Sequence, residues 1–243
     1  MLFKHKSRIS SPFLNRCSNF IRPWLEQDCL LCGARSGTHL LCPACHADLP
    51  RHAKACPVCA APGASDSVCG ECLQYPPAFD HSYAALDYTF PVDKLIQAYK
   101  YHHQLALARL FGNLLSQTVR DQPRPDVILP MPLHAARLRE RGFNQAQEIA
   151  KFIAKDLGLP LLARSASRVV NTASQATLDW AARKKNMHGA FACAANLHGQ
   201  HVALVDDVMT SGATLDALSK TLKQAGAREI SVWVVARAVA HRK

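Results

Sequence analysis

The chain has 243 residues, of which 49% are hydrophobic, and its formal net charge at pH 7 is +11. This length accommodates one large or two small domains, and the composition supports a hydrophobic core. No stretch approaches the roughly 18 to 20 apolar residues of a membrane span, so we expect no span and a cytoplasmic protein. The positive charge favours an anionic partner.

The chain begins with a basic segment that holds no acidic residue over positions 1–16. It lacks the apolar core of roughly 7 to 15 residues that a secretory signal requires. An organelle transit peptide shares this composition, but the segment favours a disordered basic extension over residues 1–28.

Four C-x-x-C pairs follow, and they form an internal repeat of 27 residues. Each pair lets two thiolates bind one metal ion, and two pairs complete a tetrahedral four-thiolate site. We therefore predict a double zinc ribbon over residues 29–75 with two structural zinc ions. The predicted ligands are Cys29, Cys32, Cys42, Cys45, Cys56, Cys59, Cys69 and Cys72.

Two alternatives concern these cysteines. Disulfides would suit a secreted protein, but no export signal supports them. Sequential pairing of the C-x-x-C motifs is the simplest arrangement, and interleaved pairing stays open. Eight thiolates with two zinc ions subtract four charges from the formal total of +11, which leaves +7.

A second domain is predicted over residues 78–243, after the Tyr75-Pro76-Pro77 punctuation. Short apolar runs at 127–129, 201–205 and 230–236 predict buried strands. Apolar stripes at helical spacing predict helices over 143–157 and 215–225, each followed by a glycine.

A strand, a helix and a strand within about 35 residues predict a right-handed parallel crossover. The fold class is therefore α/β, with a doubly wound, mostly parallel sheet. Ligands of such sheets bind beyond the carboxyl ends of the strands. We therefore expect a ligand-binding site at the residues that follow the run 201–205.

Asp206 and Asp207 end that run, and a hydroxyl-rich turn follows them before the next helix. Free amides and the helix dipole at such a turn favour a phosphate. The carboxylates suit the vicinal hydroxyls of a sugar or a divalent metal. A ribose 5-phosphate has both features. The predicted phosphate-binding residues are Thr210, Ser211, Gly212, Ala213 and Thr214.

The acidic pair has two other interpretations. It could cap the following helix. It could also be the acidic element of a nucleotide-hydrolysing site, but the chain has no G-x-x-x-x-G-K-[ST] motif, which argues strongly against that class.

The stretch from His201 to Lys220 resembles the phosphoribosyl-pyrophosphate signature of the type I phosphoribosyltransferases. Together with the four C-x-x-C pairs and three further motifs, it resembles the ComF family, in particular its GntX-like and ComFC-like members, over about residues 29–237. The further motifs are Pro130-Met131-Pro132-Leu133-His134, then Arg137-x-Arg139-x-Arg141-Gly142-Phe143-Asn144-Gln145, and the scattered residues Gln175, Leu178, Arg183, Asn186 and Phe191.

The resemblance implies a role in natural competence or in the use of external DNA as a nutrient. It implies that Asp206 and Asp207 hold the ribose hydroxyls with Mg(II), and that the turn 210–214 binds the 5-phosphate. Met131 and Pro132 would lie near the pyrophosphate. Lys100 occupies a family lysine position and would approach the phosphates.

Transfer of a phosphoribosyl group needs cations where negative charge grows on the leaving pyrophosphate. We expect Arg137, Arg139 and Arg141 to serve this purpose. On an extended loop all three face one side, whereas on a helix Arg137 and Arg141 share a face. Contacts to DNA phosphates and a solvated basic loop remain alternatives.

Three functions remain open at this level. The first is a phosphoribosyltransferase, a pentosyl-transferring glycosyltransferase that uses phosphoribosyl pyrophosphate and Mg. The second is a non-catalytic sensor of the same ligand that binds single-stranded DNA and competence-machinery proteins. The third is an adaptor whose zinc domain docks a partner. The oligomeric state and the acceptor are not determined by the sequence.

Overall fold

The computed structural model describes residues 27–63, 67–170 and 189–238. The chain divides into two compact units, Met1–Asp48 and Leu49–Lys243. The predicted boundary between modules at 75–78 stays a prediction. The second cysteine-rich segment lies in the same compact unit as the sheet. Most of the predicted 1–28 extension and the motif residues between 171 and 188 lie outside the described residues.

The first unit is built around a tight turn between its first two cysteines. The Cys29 amide donates to the Ala34 carbonyl (2.7 Å), and the Gly33 amide donates to the Cys29 carbonyl (2.9 Å). An antiparallel bridge joins Asp28 to Arg35. The short helix α1, Pro43–Ala47, then presents the second cysteine pair.

The second unit begins with the same arrangement 27 residues later. The Cys56 amide donates to the Ala61 carbonyl (2.9 Å), and the Ala60 amide donates to the Cys56 carbonyl (2.8 Å). A bridge joins Ala55 to Pro62, and helix α2 spans Gly70–Gln74. The repeat in the sequence is therefore also a repeat in the backbone.

A four-stranded parallel sheet in the order β1-β6-β5-β2 forms the centre of this unit, and a two-stranded antiparallel ribbon pairs β3 with β4. The elements after α2 are β1 His81–Asp87, α3 Val92–Tyr101, α4 Leu107–Val119, β2 Val127–Pro130, α5 Ala135–Arg141, α6 Gln145–Leu157, β3 Ala166–Arg168, β4 Phe191–Cys193, β5 His201–Met209, α7 Ala213–Gln224 and β6 Glu229–Arg237.

The sheet is buried on both faces. Every residue from Val202 to Val205 is fully buried, and neighbouring residues of a strand point to opposite faces. Val202 and Leu204 pack with Leu215 of α7 in one core cluster. A parallel sheet covered on both sides is the arrangement that an α/β fold requires. The predicted fold class is confirmed.

The predicted helix over 143–157 is observed as α6. Asn144 caps it by accepting a hydrogen bond from the Gln147 amide (3.3 Å), and Gly158 ends it in the left-handed conformation (φ 62°). Strand β5 continues to Met209, four residues past its predicted end. Asp206 and Asp207 therefore lie within the last part of a strand.

The open edge of β1 is partly covered by the segment that leads into the second ribbon. The His52 amide donates to the Ala85 carbonyl (3.2 Å), and the Asp87 amide donates to the Pro50 carbonyl (2.9 Å). His52 Nδ1 also lies 2.6 Å from Asp87 Oδ1. Over the described ranges, no helix has the length and apolar character needed to cross a membrane.

Candidate ligand-binding site and zinc centres

The cysteine sulfurs gather into two groups of four. In each group the Sγ atoms lie within 4.8 Å of one another. The sulfurs of Cys32 and Cys42 are 3.7 Å apart, and those of Cys59 and Cys69 are 3.6 Å apart. Tetrahedral zinc with Zn–S bonds of about 2.3 Å places its ligands roughly 3.8 Å apart. Both groups therefore fit structural zinc.

The grouping of the cysteines follows the chain order. The first group is Cys29, Cys32, Cys42 and Cys45, and the second is Cys56, Cys59, Cys69 and Cys72. Within the described part of the chain these thiols form no disulfide. Sequential pairing is what the structure shows, and the interleaved alternative is not adopted.

Asp206 and Asp207 lie near the carboxyl end of β5, between β6 and β2. Lys100, at the end of α3, donates from Nζ to Asp207 Oδ1 (2.8 Å). Gln145, the first residue of α6, places its Nε2 atom 3.4 Å from Asp207 Oδ2. The Asp207 amide donates to Asp206 Oδ1 (2.8 Å). The Asp207 carboxylate is therefore held by Lys100 and Gln145, and the Asp206 carboxylate is held by the backbone amide of Asp207.

The electrostatics of this group differ between its members. Burial, with a smaller contribution from the charge of Asp207, raises the pKa of Asp206 to about 7, although Lys100 acts in the opposite direction. Burial alone would lower the pKa of Lys100, but the adjacent Asp207 outweighs it and the net effect raises that pKa. Burial and the charge of Asp207 thus make Asp206 hold its proton more tightly than an ordinary carboxyl group, whereas the pair with Asp207 favours the charged form of Lys100.

The predicted phosphate-binding turn connects β5 to α7. Gly212 precedes the helix with φ of 76°, a left-handed conformation that favours glycine. A Cβ atom there would come within 2.9 Å of Met209 Cε and 3.8 Å of Phe79 Cζ. Thr210 and Ser211 are exposed. The Ala213 amide donates to Ser211 Oγ (3.4 Å). The turn therefore offers exposed hydroxyl-bearing residues at a helix N-terminus.

Met131 and Pro132 follow β2, the neighbour of β5 in the sheet. The Met131 amide donates to the Val205 carbonyl (2.8 Å), and Asn144 Nδ2 donates to the Met131 carbonyl (3.0 Å). These two hydrogen bonds hold this turn beside the acidic pair. The structure thus brings two separate sequence motifs to one edge of the sheet.

The three predicted arginines lie on or at the end of a helix, α5. Arg137 pairs with Glu140 (3.0 Å), and Arg141 lies over the ring of Tyr101, with Cζ 5.4 Å from its centroid. Arg139 is exposed. Arg141 is therefore placed beside the residue that follows Lys100, whereas the extended-loop alternative for the three arginines is not adopted.

Three further residues of this region were not singled out as site residues from the sequence. Gln145 belonged to a motif, but nothing in its spacing indicated Asp207 as its partner. Burial lowers the pKa of Arg168 on β3. The nearby Asp206 opposes this effect, and Arg137 adds to it. Arg237, at the end of β6, is 8% exposed. No sequence signal distinguished it from other terminal strand residues.

Comparison with known proteins agrees with this architecture. A double zinc ribbon domain model matches residues 20–73, and a phosphoribosyl transferase domain model matches residues 98–243. Competence protein F of Haemophilus influenzae is 37% identical over 70% of this chain and 78% of its own length.

Two other relatives also match most of the chain. DNA utilization protein YhgH of Salmonella typhimurium is 33% identical over 81% of this chain and 90% of that protein. Competence protein ComFC of Bacillus subtilis is 25% identical over 75% of this chain and 77% of that protein. The chain therefore carries a double zinc ribbon domain, and it belongs to the phosphoribosyl transferase domain family together with relatives such as competence protein F and YhgH.

Proposed function

We propose that the protein binds phosphoribosyl pyrophosphate with Mg(II) at the carboxyl end of β5, and acts in the cytoplasm in the uptake or use of DNA. The observation that supports this proposal most is a single stretch of chain. Two carboxylates lie among the last four residues of a buried strand, and a left-handed glycine then turns the backbone into a helix N-terminus. The carboxylates suit ribose hydroxyls, and the helix N-terminus suits a 5-phosphate.

The donor set also fits a magnesium ion. Mg(II) prefers oxygen ligands, and it is commonly held by one or two carboxylates together with substrate phosphates. Asp206 and Asp207 supply such carboxylates. When bound, the ion would neutralise negative charge that develops on the leaving pyrophosphate.

Lys100 has a defined part in this proposal. It neutralises Asp207 through the 2.8 Å ion pair. When Asp207 turns to a ribose hydroxyl or a cation, the ammonium group becomes available to a phosphate. Arg141, held over Tyr101, adds a second cation on the same side. Both groups would stabilise a departing pyrophosphate.

The test is a calorimetric titration of the full-length, zinc-loaded protein with phosphoribosyl pyrophosphate and Mg(II). Release of pyrophosphate is then measured with a panel of nucleobases and DNA fragments as acceptors. Asp156→Asn is the matched control, because Asp156 is an exposed carboxylate that pairs with Arg120 (3.0 Å). Absence of binding by the wild-type protein would refute the proposal. Binding without pyrophosphate release would leave a sensor of the same ligand.

A second candidate function is contact with single-stranded DNA, alone or with competence-machinery proteins. Helix α5 carries three arginines in seven residues, and Tyr101, beneath Arg141, is 65% exposed. An aromatic ring with a stacked guanidinium suits an unpaired base, and the arginines suit phosphates. Affinity for a single-stranded oligonucleotide should fall steeply with salt. Replacing all three arginines with Ala should flatten this dependence, whereas Arg120→Ala should not.

A further inference from the structure

Arg237 joins two parts of the second unit that are far apart in the chain. Its Nε atom donates to the Cys59 carbonyl (2.9 Å). Its Nη1 atom donates to the Met209 carbonyl (3.1 Å) and also to the Thr210 carbonyl. A single buried guanidinium thus bridges the second cysteine group and the start of the phosphate-binding turn.

These contacts determine which way the amides of the turn point. A peptide unit is planar and trans, so its N–H group points away from its own carbonyl. Because Arg237 holds the carbonyls of Met209 and Thr210, the amides of Thr210 and Ser211 point away from the buried guanidinium. The exposed side of the turn therefore presents donors, which is what an anion requires.

The other end of the bridge depends on metal binding. Cys59 is one of the four sulfurs of the second group, so the position of its carbonyl follows from the geometry of that site. Its neighbour Ala60 is 1% exposed and packs in one core cluster with Phe79 and Met209. Met209 and Phe79 also surround Gly212. Packing and hydrogen bonds thus connect the same two regions.

We propose that Arg237 is a positioning residue that couples zinc in the second cysteine group to the phosphate-binding turn. Loss of this zinc releases the Cys59 carbonyl, loosens Arg237 and disorders the amides of Thr210 and Ser211. The ligand side of this inference rests on the proposed binding of phosphoribosyl pyrophosphate. The coupling itself belongs to the protein without ligand.

Arg237→Lys tests the bridge. A lysine keeps the charge, but its single ammonium group does not reproduce the planar fork that donates to four carbonyls, those of Cys59, Met209, Thr210 and Ala238. Amide hydrogen exchange in the ligand-free protein should become at least tenfold faster over 209–214, while residues 127–131, which are β2 and the residue after it, should keep wild-type rates. Arg228→Lys is the control, because Arg228 is exposed and lies at the other end of β6.

The same variants are then titrated with phosphoribosyl pyrophosphate and Mg(II). Affinity should fall at least tenfold for Arg237→Lys and stay at the wild-type value for Arg228→Lys. Equal acceleration of exchange over 209–214 and 127–131 would show a general loss of stability and overturn the inference. Unchanged exchange over 209–214 would overturn it as well.

Zinc removal provides a test that does not depend on any change at Arg237. Cys32→Ser leaves zinc only in the second group, and Cys69→Ser leaves it only in the first. Stripping the remaining zinc with a chelator should accelerate exchange over 209–214 more than over 127–131 in the Cys32→Ser protein. In the Cys69→Ser protein, exchange over 209–214 should already be fast before the chelator is added, and the chelator should not change it further. Identical responses in both proteins would refute the coupling. If the wild type fails to bind phosphoribosyl pyrophosphate, the proposed function fails, but these exchange results still decide the coupling.

Discussion

The two zinc ribbons have the same backbone but occupy different surroundings. Gly33 and Ala60 are equivalent, 27 residues apart, and both have a left-handed φ, of 71° and 51°. No described atom lies within 4 Å of a Cβ placed on Gly33, whereas the Ala60 methyl is buried in the core beside the sheet. The same metal-binding turn thus lies outside the hydrophobic core in the first unit, at Gly33, and forms part of the hydrophobic core in the second unit, at Ala60.

The largest expected effect comes from breaking each zinc site in turn. Structural zinc contributes on the order of 10 kcal/mol to the folding of small zinc domains. Cys56→Ser should therefore destabilise the unit that contains the sheet, and the melting temperature of that unit should fall. Cys29→Ser should affect residues 27–48 and leave the melting of the sheet much less changed. Calorimetry and metal analysis measure both effects.

Metal analysis of the wild-type protein should give about two zinc ions per chain, and each variant should retain about one. If the two variants lowered the melting temperature of the sheet equally, the difference between the ribbons would not exist. Folded, reduced wild-type protein without zinc would contradict the assignment of both sites.

The next largest effect concerns the ligand that we propose for the second unit. Asp206→Asn/Asp207→Asn keeps the shape of both side chains but removes their charge from ribose hydroxyls and Mg(II). Each lost charge-assisted hydrogen bond costs roughly 1.5 to 3 kcal/mol, so affinity for phosphoribosyl pyrophosphate should drop by about two to four decades. Zinc content should stay at two ions. Wild-type affinity in the double variant would exclude the ribose assignment.

A smaller effect should appear in the pH dependence of stability. The pKa of Asp206 is raised to about 7 by burial and by Asp207. Between pH 4 and 7 the folded protein therefore retains a proton that the unfolded chain has released. The free energy of unfolding contributed by Asp206 falls as pH rises through this window.

Asp206→Asn should remove this contribution. Ligand-free, magnesium-free wild type and variant are compared by thermal unfolding at several pH values. The variant should gain stability relative to wild type as pH increases from about 4 to 7. The gain belongs to the unit with the sheet, so melting of the first ribbon should not change. A difference that is independent of pH would contradict the raised pKa.

The smallest effects come from exchanging the two turn residues. Gly33→Ala forces an alanine into the left-handed region, which costs about 1 to 2 kcal/mol. Ala60→Gly relieves that strain but loses a buried methyl worth about 0.8 kcal/mol and makes the unfolded chain more flexible. The first change should destabilise its ribbon, and the second should be nearly neutral. Zinc release is measured for each ribbon in both variants. Clearly slower release than in the wild type for Ala60→Gly would show that the Ala60 methyl does not contribute to the core.

Much of the fold could be predicted because its signals are local. The C-x-x-C spacing indicated both zinc sites, and apolar periodicity indicated β2, β5, β6 and α6. The end of β5 was placed four residues early because a charged pair suggests solvent, whereas Asp207 is buried against Lys100 and Gln145. The contacts of Lys100 and Arg237 depend on strand order and register. Both are set by long-range packing, which no window of sequence contains.

The coverage of β1 has a practical consequence for dissecting this protein. The segment from Pro50 to His52 bonds along β1 through the Ala85 carbonyl and the Asp87 amide, and so it occupies part of an edge that could otherwise recruit another chain. A fragment that begins at Leu49 retains this protection. A fragment that begins at residue 78 follows the apparent boundary between sequence modules, yet it uncovers a strand edge and the cavity left by Ala60. Such a fragment should self-associate, which light scattering would detect.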